Sequence, residues 1–266
     1  MACLHRPIKR RMAEVMGAET MKTLLREFRD GIAPVVDFIF PPRCPICSDA
    51  VLEQGGLCSE CWSGLEIPGA HTCTVCEANL PDERKQSVCV TCAGAKHDHD
   101  AIICATRYND VSRQLVLSLK HGRRIALAAL MARLIAARLP KAIDHPVFVP
   151  VPLHRWRLWK RGFNQSALIA RELASLRKEP LVVDALVRHR QTPSLGGMDR
   201  HQRHTVLAGS VGVSPRAIPK LAGRTVVLVD DVLTSGATSR ECVRALKDAG
   251  AGAVWIACFA RVSGGL

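Results

Sequence analysis

Eight of the chain's twelve cysteines fall into four Cys-x-x-Cys pairs: Cys44/Cys47, Cys58/Cys61, Cys73/Cys76 and Cys89/Cys92. A two-residue spacer lets both thiolates of a pair face one ion, at about 2.3 Å for zinc. Two pairs complete a tetrahedral shell, so eight sulfurs make two zinc sites with no position left for a reacting molecule. Such zincs are structural. Pairing in sequence order, first with second and third with fourth, is the expectation, and a cross-braced arrangement is the alternative. A segment of about fifty residues with few large apolar side chains cannot bury enough core to fold alone. Zinc binding, worth about 10–16 kcal/mol in small finger peptides, supplies the missing stability. Iron–sulfur clusters also take four thiolates, but regularly paired knuckles favour zinc. With both shells filled, His71, His97 and His99 are expected at the surface. Cys104, Cys242 and Cys258 sit in apolar stretches and are expected in the core.

A second constellation is VVLVDDVLTSGATS, residues 226–239. An apolar strand ends in Asp230-Asp231, a short turn follows through Thr234, Ser235 and Gly236, and a helix begins near Ala237 and Thr238. A Gly-containing turn entering a helix offers backbone N–H groups and the positive dipole end to a phosphate. Gly236 permits close approach, and the hydroxyls of Thr234, Ser235 and Thr238 add donors. Carboxylates repel phosphate but accept from hydroxyls, and a ribose presents two. The motif therefore describes a sugar phosphate, with phosphate in the turn and diol on the acids. The plainer reading is that the aspartates cap the turn and Thr234 or Ser235 caps the helix. Neither the P-loop lysine pattern nor the dinucleotide glycine fingerprint is present.

Charge points the same way. The formal net charge is +13, and residues 107–210 hold 19 of the 37 Lys and Arg but 6 of the 24 Asp and Glu. The whole excess lies in that stretch, which suggests an anionic partner. Trp156 and Trp159 interleave with Arg155, Arg157, Lys160 and Arg161. That pattern suits a single nucleic-acid strand, while packing between structural layers is the other use of the tryptophans.

These groups must be held by elements the pattern implies. With 48% apolar residues and ordinary Gly and Pro usage, the chain is neither disordered nor collagen-like. No apolar run reaches the roughly 18–20 residues of a membrane span; the longest, 125–139, is interrupted by Arg133. The basic N-terminus has no apolar signal core, so the protein is expected in the cytoplasm with reduced thiols. Residues 1–37 read as an arm, partly disordered or a short helix from Met21, which is itself an alternative start. Residues 38–97 form the cysteine domain. Beyond it, apolar runs at 101–108, 146–151, 224–231 and 253–259 alternate with helical periodicity at 111–120, 123–139, 164–176 and 237–249. Such alternation gives an α/β fold, a parallel Rossmann-like sheet covered on both faces, over 98–262. Residues 188–205 read as an exposed loop.

The acidic motif resembles the phosphoribosyl-diphosphate (PRPP) signature of type I phosphoribosyltransferases. With RGFNQSALIA (161–170) following VPVPLHRWRLWK (149–160), and with the knuckles upstream, residues 38–262 resemble the competence protein F (ComF) family. The family layout is a double zinc ribbon followed by a phosphoribosyltransferase-like domain. The resemblance implies that Asp230 and Asp231 hold the ribose hydroxyls and act in any catalysis. It places the 5′-phosphate on Thr234, Ser235, Gly236, Ala237 and Thr238. It places pyrophosphate at a basic turn of Arg155, Arg157, Lys160 and Arg161, with Lys120 of SLKHG matching a family lysine, and Mg²⁺ bound with PRPP. Residues 188–205 match the family's mobile loop, where Leu195 and Val206 replace an expected Gln and Asn while Arg200 and Arg203 remain. The implied function is handling of single-stranded DNA in natural transformation with a retained PRPP site, alongside a DNA-uptake helicase. The alternative is an active phosphoribosyltransferase that releases pyrophosphate as a nucleobase-like acceptor is ribosylated.

Overall fold

The computed structural model describes residues 38–81, 87–121, 124–189 and 209–262. The arm of residues 1–37, with Cys3 and Met21, and the loop positions Leu195, Arg200, Arg203 and Val206 lie outside the described residues.

The cysteine segment is built twice from one plan. Cys44 and Cys73 each donate a backbone N–H across a tight hairpin, to Asp49 and Ala78 carbonyls, and accept from the Ser48 and Glu77 N–H groups. Ser48 and Glu77 adopt positive φ, the turn that swings the second cysteine of each pair back toward the first. Each hairpin is followed by a short helix, α1 (Ser59–Ser63) and α2 (Val90–Ala93), which begins at the third cysteine and carries the fourth.

Next comes the α/β part: β1 (Ala101–Arg107), α3 (Asp110–His121), α4 (Leu127–Arg138), β2 (Val147–Pro150), α5 (Arg155–Arg161), α6 (Gln165–Arg177), β3 (Leu186–Arg188), β4 (Val211–Val213), α7 (Ile218–Leu221), β5 (Thr225–Leu233), α8 (Ala237–Asp248) and β6 (Ala253–Arg261). Strands β1, β6, β5 and β2 lie side by side in that order, all parallel. β3 and β4 form a separate antiparallel pair flanking residues 190–208. Val226 to Val229 are fully buried because both faces are covered, which is why the strand reads as a continuous apolar run. On one face α3, α4 and α6 pack Leu115, Leu119, Met131, Ile135, Ile169 and Leu173 against Phe148, Val227, Val229 and Phe259. On the other, Cys242, Val243 and Leu246 of α8 pack against Val149, Leu228 and Ile256. Cys104, Cys242 and Cys258 are core residues, as expected.

Two expectations need correction. Arg155 to Arg161 form a seven-residue helix, α5, and not a turn; Gly162, at φ 83°, closes it with an N–H donated to the Leu158 carbonyl. His99 is buried, not at the surface. Its Nε2 donates to the Val75 carbonyl at 2.9 Å, and burial lowers its pKa. It serves as a strut beneath the second knuckle pair.

No helix among the described residues is long and apolar enough to cross a membrane.

Candidate functional site

The eight knuckle sulfurs collect into two groups, Cys44/Cys47/Cys58/Cys61 and Cys73/Cys76/Cys89/Cys92, each with all ligand atoms within 4.8 Å of one another. That settles the pairing in sequence order and removes the cross-braced alternative. A tetrahedron with Zn–S of about 2.3 Å has sulfur–sulfur edges of about 3.8 Å. Cys47 and Cys58 stand 3.4 Å apart, and Cys76 and Cys89 stand 3.7 Å apart. Burial would raise the Cys44 and Cys73 thiols, yet knuckle N–H donors outweigh it and lower them to about 6 and about 7. Backbone N–H groups therefore favour one thiolate in each group, while burial and the neighbouring sulfurs push Cys61 and Cys92 up, a cost that a bound cation would offset. The residues fit two structural zinc ions.

The acidic pair sits near the carboxyl end of β5, where ligands of open parallel sheets bind. Asp231 is buried, and the Lys120 ammonium from the last turn of α3 lies 2.6 Å from its Oδ2. The ammonium stands off that oxygen's hydrogen-bonding direction, so the contact is an ion pair without a well-directed hydrogen bond. Asp230 accepts at Oδ1 from Ser166 Oγ at 3.0 Å and from the Asp231 N–H at 2.9 Å. Burial, with the Asp231 charge adding to it, raises the Asp230 pKa to about 8, against the pull of Lys120 and Ser166.

Beyond the acids lies a cleft of about 360 Å³ lined by Lys120, His121, Arg157, Lys160 and Arg161. Arg155 is not part of that lining. Arg161 Nη1 donates to Gln165 Oε1 at 2.6 Å. Burial lowers its pKa, with Arg157 adding to the lowering and Asp231 opposing it. With four permanent cations and a histidine on its walls, the cleft is suited to a polyanion.

At the turn after β5, Gly236 has φ 67° and occupies the N-cap of α8 with no side-chain capping bond. The plainer reading, in which Thr234 or Ser235 caps this helix, is thereby excluded. Thr234 is exposed and Ser235 half-buried. Among the described residues no side chain caps the first N–H groups of α8, an arrangement that accepts phosphate.

Sequence reasoning missed the hinge of the site. Asn164 caps α6 by accepting from the N–H groups of Ser166 and Ala167, while its Nδ2 donates to the Val151 carbonyl at 3.0 Å. Gln165 then holds Arg161, and Ser166 holds Asp230. An Asn at a helix start followed by two polar residues that interrupt an apolar pattern was the available signal. His121, on the cleft wall, was also missed.

On α5, Trp156 and Trp159 are 56% and 77% exposed and stack on each other, with ring centroids 5.2 Å apart. They do not pack between sheet and ribbon. Arg157, Lys160 and Arg161 project from the same helix into the cleft, so α5 carries an aromatic face and a cationic one.

Comparison with known proteins gives a consistent picture. Residues 35–93 match the double zinc ribbon domain family, and residues 158–265 match the phosphoribosyl transferase domain family. DNA utilization protein YhgH of Salmonella typhimurium is 30% identical over 224 residues, covering 82% of this chain and 89% of that protein. Competence protein F of Haemophilus influenzae is 28% identical over 222 residues, covering 78% of this chain and 92% of that one. Among solved structures, the glutamine PRPP amidotransferase of B. subtilis superposes with a TM-score of 0.35 at 21% identity, over 50% of this chain and 26% of that one.

Proposed function

We infer that this chain, which belongs to the family of competence protein F and DNA utilization protein YhgH, is a zinc-containing PRPP-binding protein that handles single-stranded DNA in the cytoplasm during natural transformation. One observation carries the reading: a carboxyl pair, a cationic cleft and an uncapped helix N-terminus stand together at the carboxyl end of one sheet. In this account Asp230 and Asp231 accept from the ribose hydroxyls, Thr234 to Thr238 receive the 5′-phosphate, and Lys120, Arg157, Lys160 and Arg161 face the diphosphate. Mg²⁺ accompanies PRPP and neutralises charge on its diphosphate and ribose oxygens, since this ion seldom takes an all-protein cage.

Strand handling rests on α5. Exposed tryptophans offer faces on which bases stack, and the neighbouring cations follow the phosphates. The test is binding of a fluorescent oligonucleotide to the zinc-loaded protein across a salt series. Log affinity should fall with log salt at about −0.7 per phosphate neutralised, and charge reversal at Arg155, Arg157 and Lys160 should flatten the slope. Salt-independent affinity would defeat the strand reading. Release of pyrophosphate on mixing PRPP with a nucleobase, abolished in Asp231→Asn, would instead make the protein a phosphoribosyltransferase.

A further inference from the structure

The two zinc sites are built alike but are attached differently. The second has a small core of its own, in which Cys73, Cys76 and Cys92 pack with Val75, Ala78, Leu80 and Val88. It docks on the body of β1 and the far end of α4. Thr74 accepts from the Ile102 N–H, Glu77 pairs with Arg138 at 2.9 Å, and Arg107 donates to Asn79 Oδ1. The first has no separate core. Its Ile46, Leu57 and Leu65 join the main cluster that contains Leu115 and Leu119 of α3.

The first site also contacts the chain just before α3 and again at the start of α4. At the amino end Asn109 Nδ2 donates to the Gly64 carbonyl at 2.8 Å. The Gly64 backbone lies against the Val111 side chain, where an added Cβ would meet Val111 Cγ2 at 2.8 Å, so a larger residue there would have to displace that methyl. Beyond the carboxyl end, Arg124 Nη1 donates to the Pro45 carbonyl at 2.7 Å, and Gly55 lies against Ala126. Pro45 stands between Cys44 and Cys47, so this bond reaches the metal knuckle itself. The last turn of α3 carries Lys120 and His121, which form one wall of the cationic cleft, with Lys120 on Asp231.

We propose that the first zinc site is a positioning device for the anion cleft: by holding the chain before α3 and at the start of α4, and by packing on α3 between them, it aims Lys120 and His121, while the second site secures the sheet edge. The cleft's role as an anion site belongs to the function proposed above; the clamp is tested apart from it. Zinc at the first site fixes the Pro45 turn and, through Leu57 and Leu65, the packing of Leu115 and Leu119. Zinc at the second fixes Thr74 and Glu77, whose partners lie on β1 and at the far end of α4.

Two matched double variants separate the sites: Cys47→Ser/Cys58→Ser and Cys76→Ser/Cys89→Ser, each checked by colorimetric assay to retain one zinc per chain. The first readout is amide hydrogen exchange over residues 110–121. Loss of the first zinc should speed exchange there about tenfold or more, and loss of the second should leave it within about twofold. The second readout is calorimetric titration with inorganic pyrophosphate, which the first variant should bind about tenfold more weakly and the second about as well as wild type. If the first variant does not fold, Arg124→Ala tests the clamp with both zincs in place. It should speed exchange in the last turn of α3, and Arg124→Lys should restore part of the protection. Equal exchange in the two zinc variants, or unchanged exchange in Arg124→Ala, overturns the proposal. Wild-type protein that ignores pyrophosphate while exchange differs as described would defeat the anion reading of the cleft and uphold the clamp.

Discussion

Replacing Asp230 by Asn tests whether the acidic pair is held against the fold's own stability. Asn keeps the Oδ1 that accepts from Ser166 Oγ and the Asp231 N–H, so the variant removes charge and little else. Asp230 is raised from 3.8 to about 8, first by burial and then by the Asp231 charge. A carboxyl with a higher pKa in the folded state binds more protons folded than unfolded. Stability is therefore greatest below the unfolded value and is lost as pH rises toward the folded one. The window runs from about pH 4 to about pH 8. Taken whole, the displacement amounts to about 4 kcal/mol at pH 7; Asp230 is half-buried by surface, and halving for solvent access leaves about 2 kcal/mol. Urea unfolding of zinc-loaded wild type and Asp230→Asn, at pH 6 and pH 8, measures this where thiolate ligation of zinc persists. The variant should be the more stable protein at both, with its advantage growing by about 1 kcal/mol between them. A variant less stable at pH 8, or an advantage that does not change with pH, would refute the account of a carboxyl forced toward its neutral form.

Lys120→Ala leaves the buried Asp231 carboxylate without its ammonium, and thermal unfolding at pH 7 should show a loss of about 2–3 kcal/mol. Ser166→Ala removes a donor that stabilises ionised Asp230; carboxyl NMR titration should show Asp230 taking its proton at still higher pH, with about 1 kcal/mol less stability at pH 8.5. Trp156→Ala/Trp159→Ala should leave the unfolding temperature unchanged because both rings are exposed, while oligonucleotide affinity falls by about 1–3 kcal/mol per stacked base. Exhaustive chelation followed by a colorimetric zinc assay should release two zinc ions per chain, with loss of the structure around both knuckle groups.

The parts of this molecule that were legible in its sequence are those fixed by local rules. Cys-x-x-Cys spacing defines a knuckle whatever surrounds it. The run 226–229 is apolar at every position because both faces of a parallel sheet are covered, and the helical periodicity at 164–176 places α6. Other features depend on what comes together in space. Spacing alone could not choose between two pairings of four knuckles. Ser166 and Asp230 are 64 residues apart, and their hydrogen bond exists only because α6 packs beside β5. His99, in the polar run HDHD, is buried because the Cys73/Cys76 knuckle brings the Val75 carbonyl to it. In RWRLWKR no face is buried, so no periodicity announced a helix. β3 and β4, at three residues each, are too short for an alternating pattern to stand out.

The arrangement also explains why small zinc ribbons accompany this sheet. β1 is an edge strand, and an open edge invites pairing with other chains. Carbonyls of Thr74 and Glu66 receive N–H groups from Ile102 and Arg107 along that edge, so the cysteine segment closes it.

The central claim is that Asp230, Asp231 and the adjoining cleft bind PRPP. Calorimetric titration of the zinc-loaded protein with PRPP and Mg²⁺, beside Asp230→Asn/Asp231→Asn, tests it most directly. The account predicts saturable binding by the wild type and a loss of about a hundredfold or more in the variant, as expected for removing two carboxyl acceptors from a ribose. Absence of binding by the wild type, or equal binding by both proteins, would contradict it.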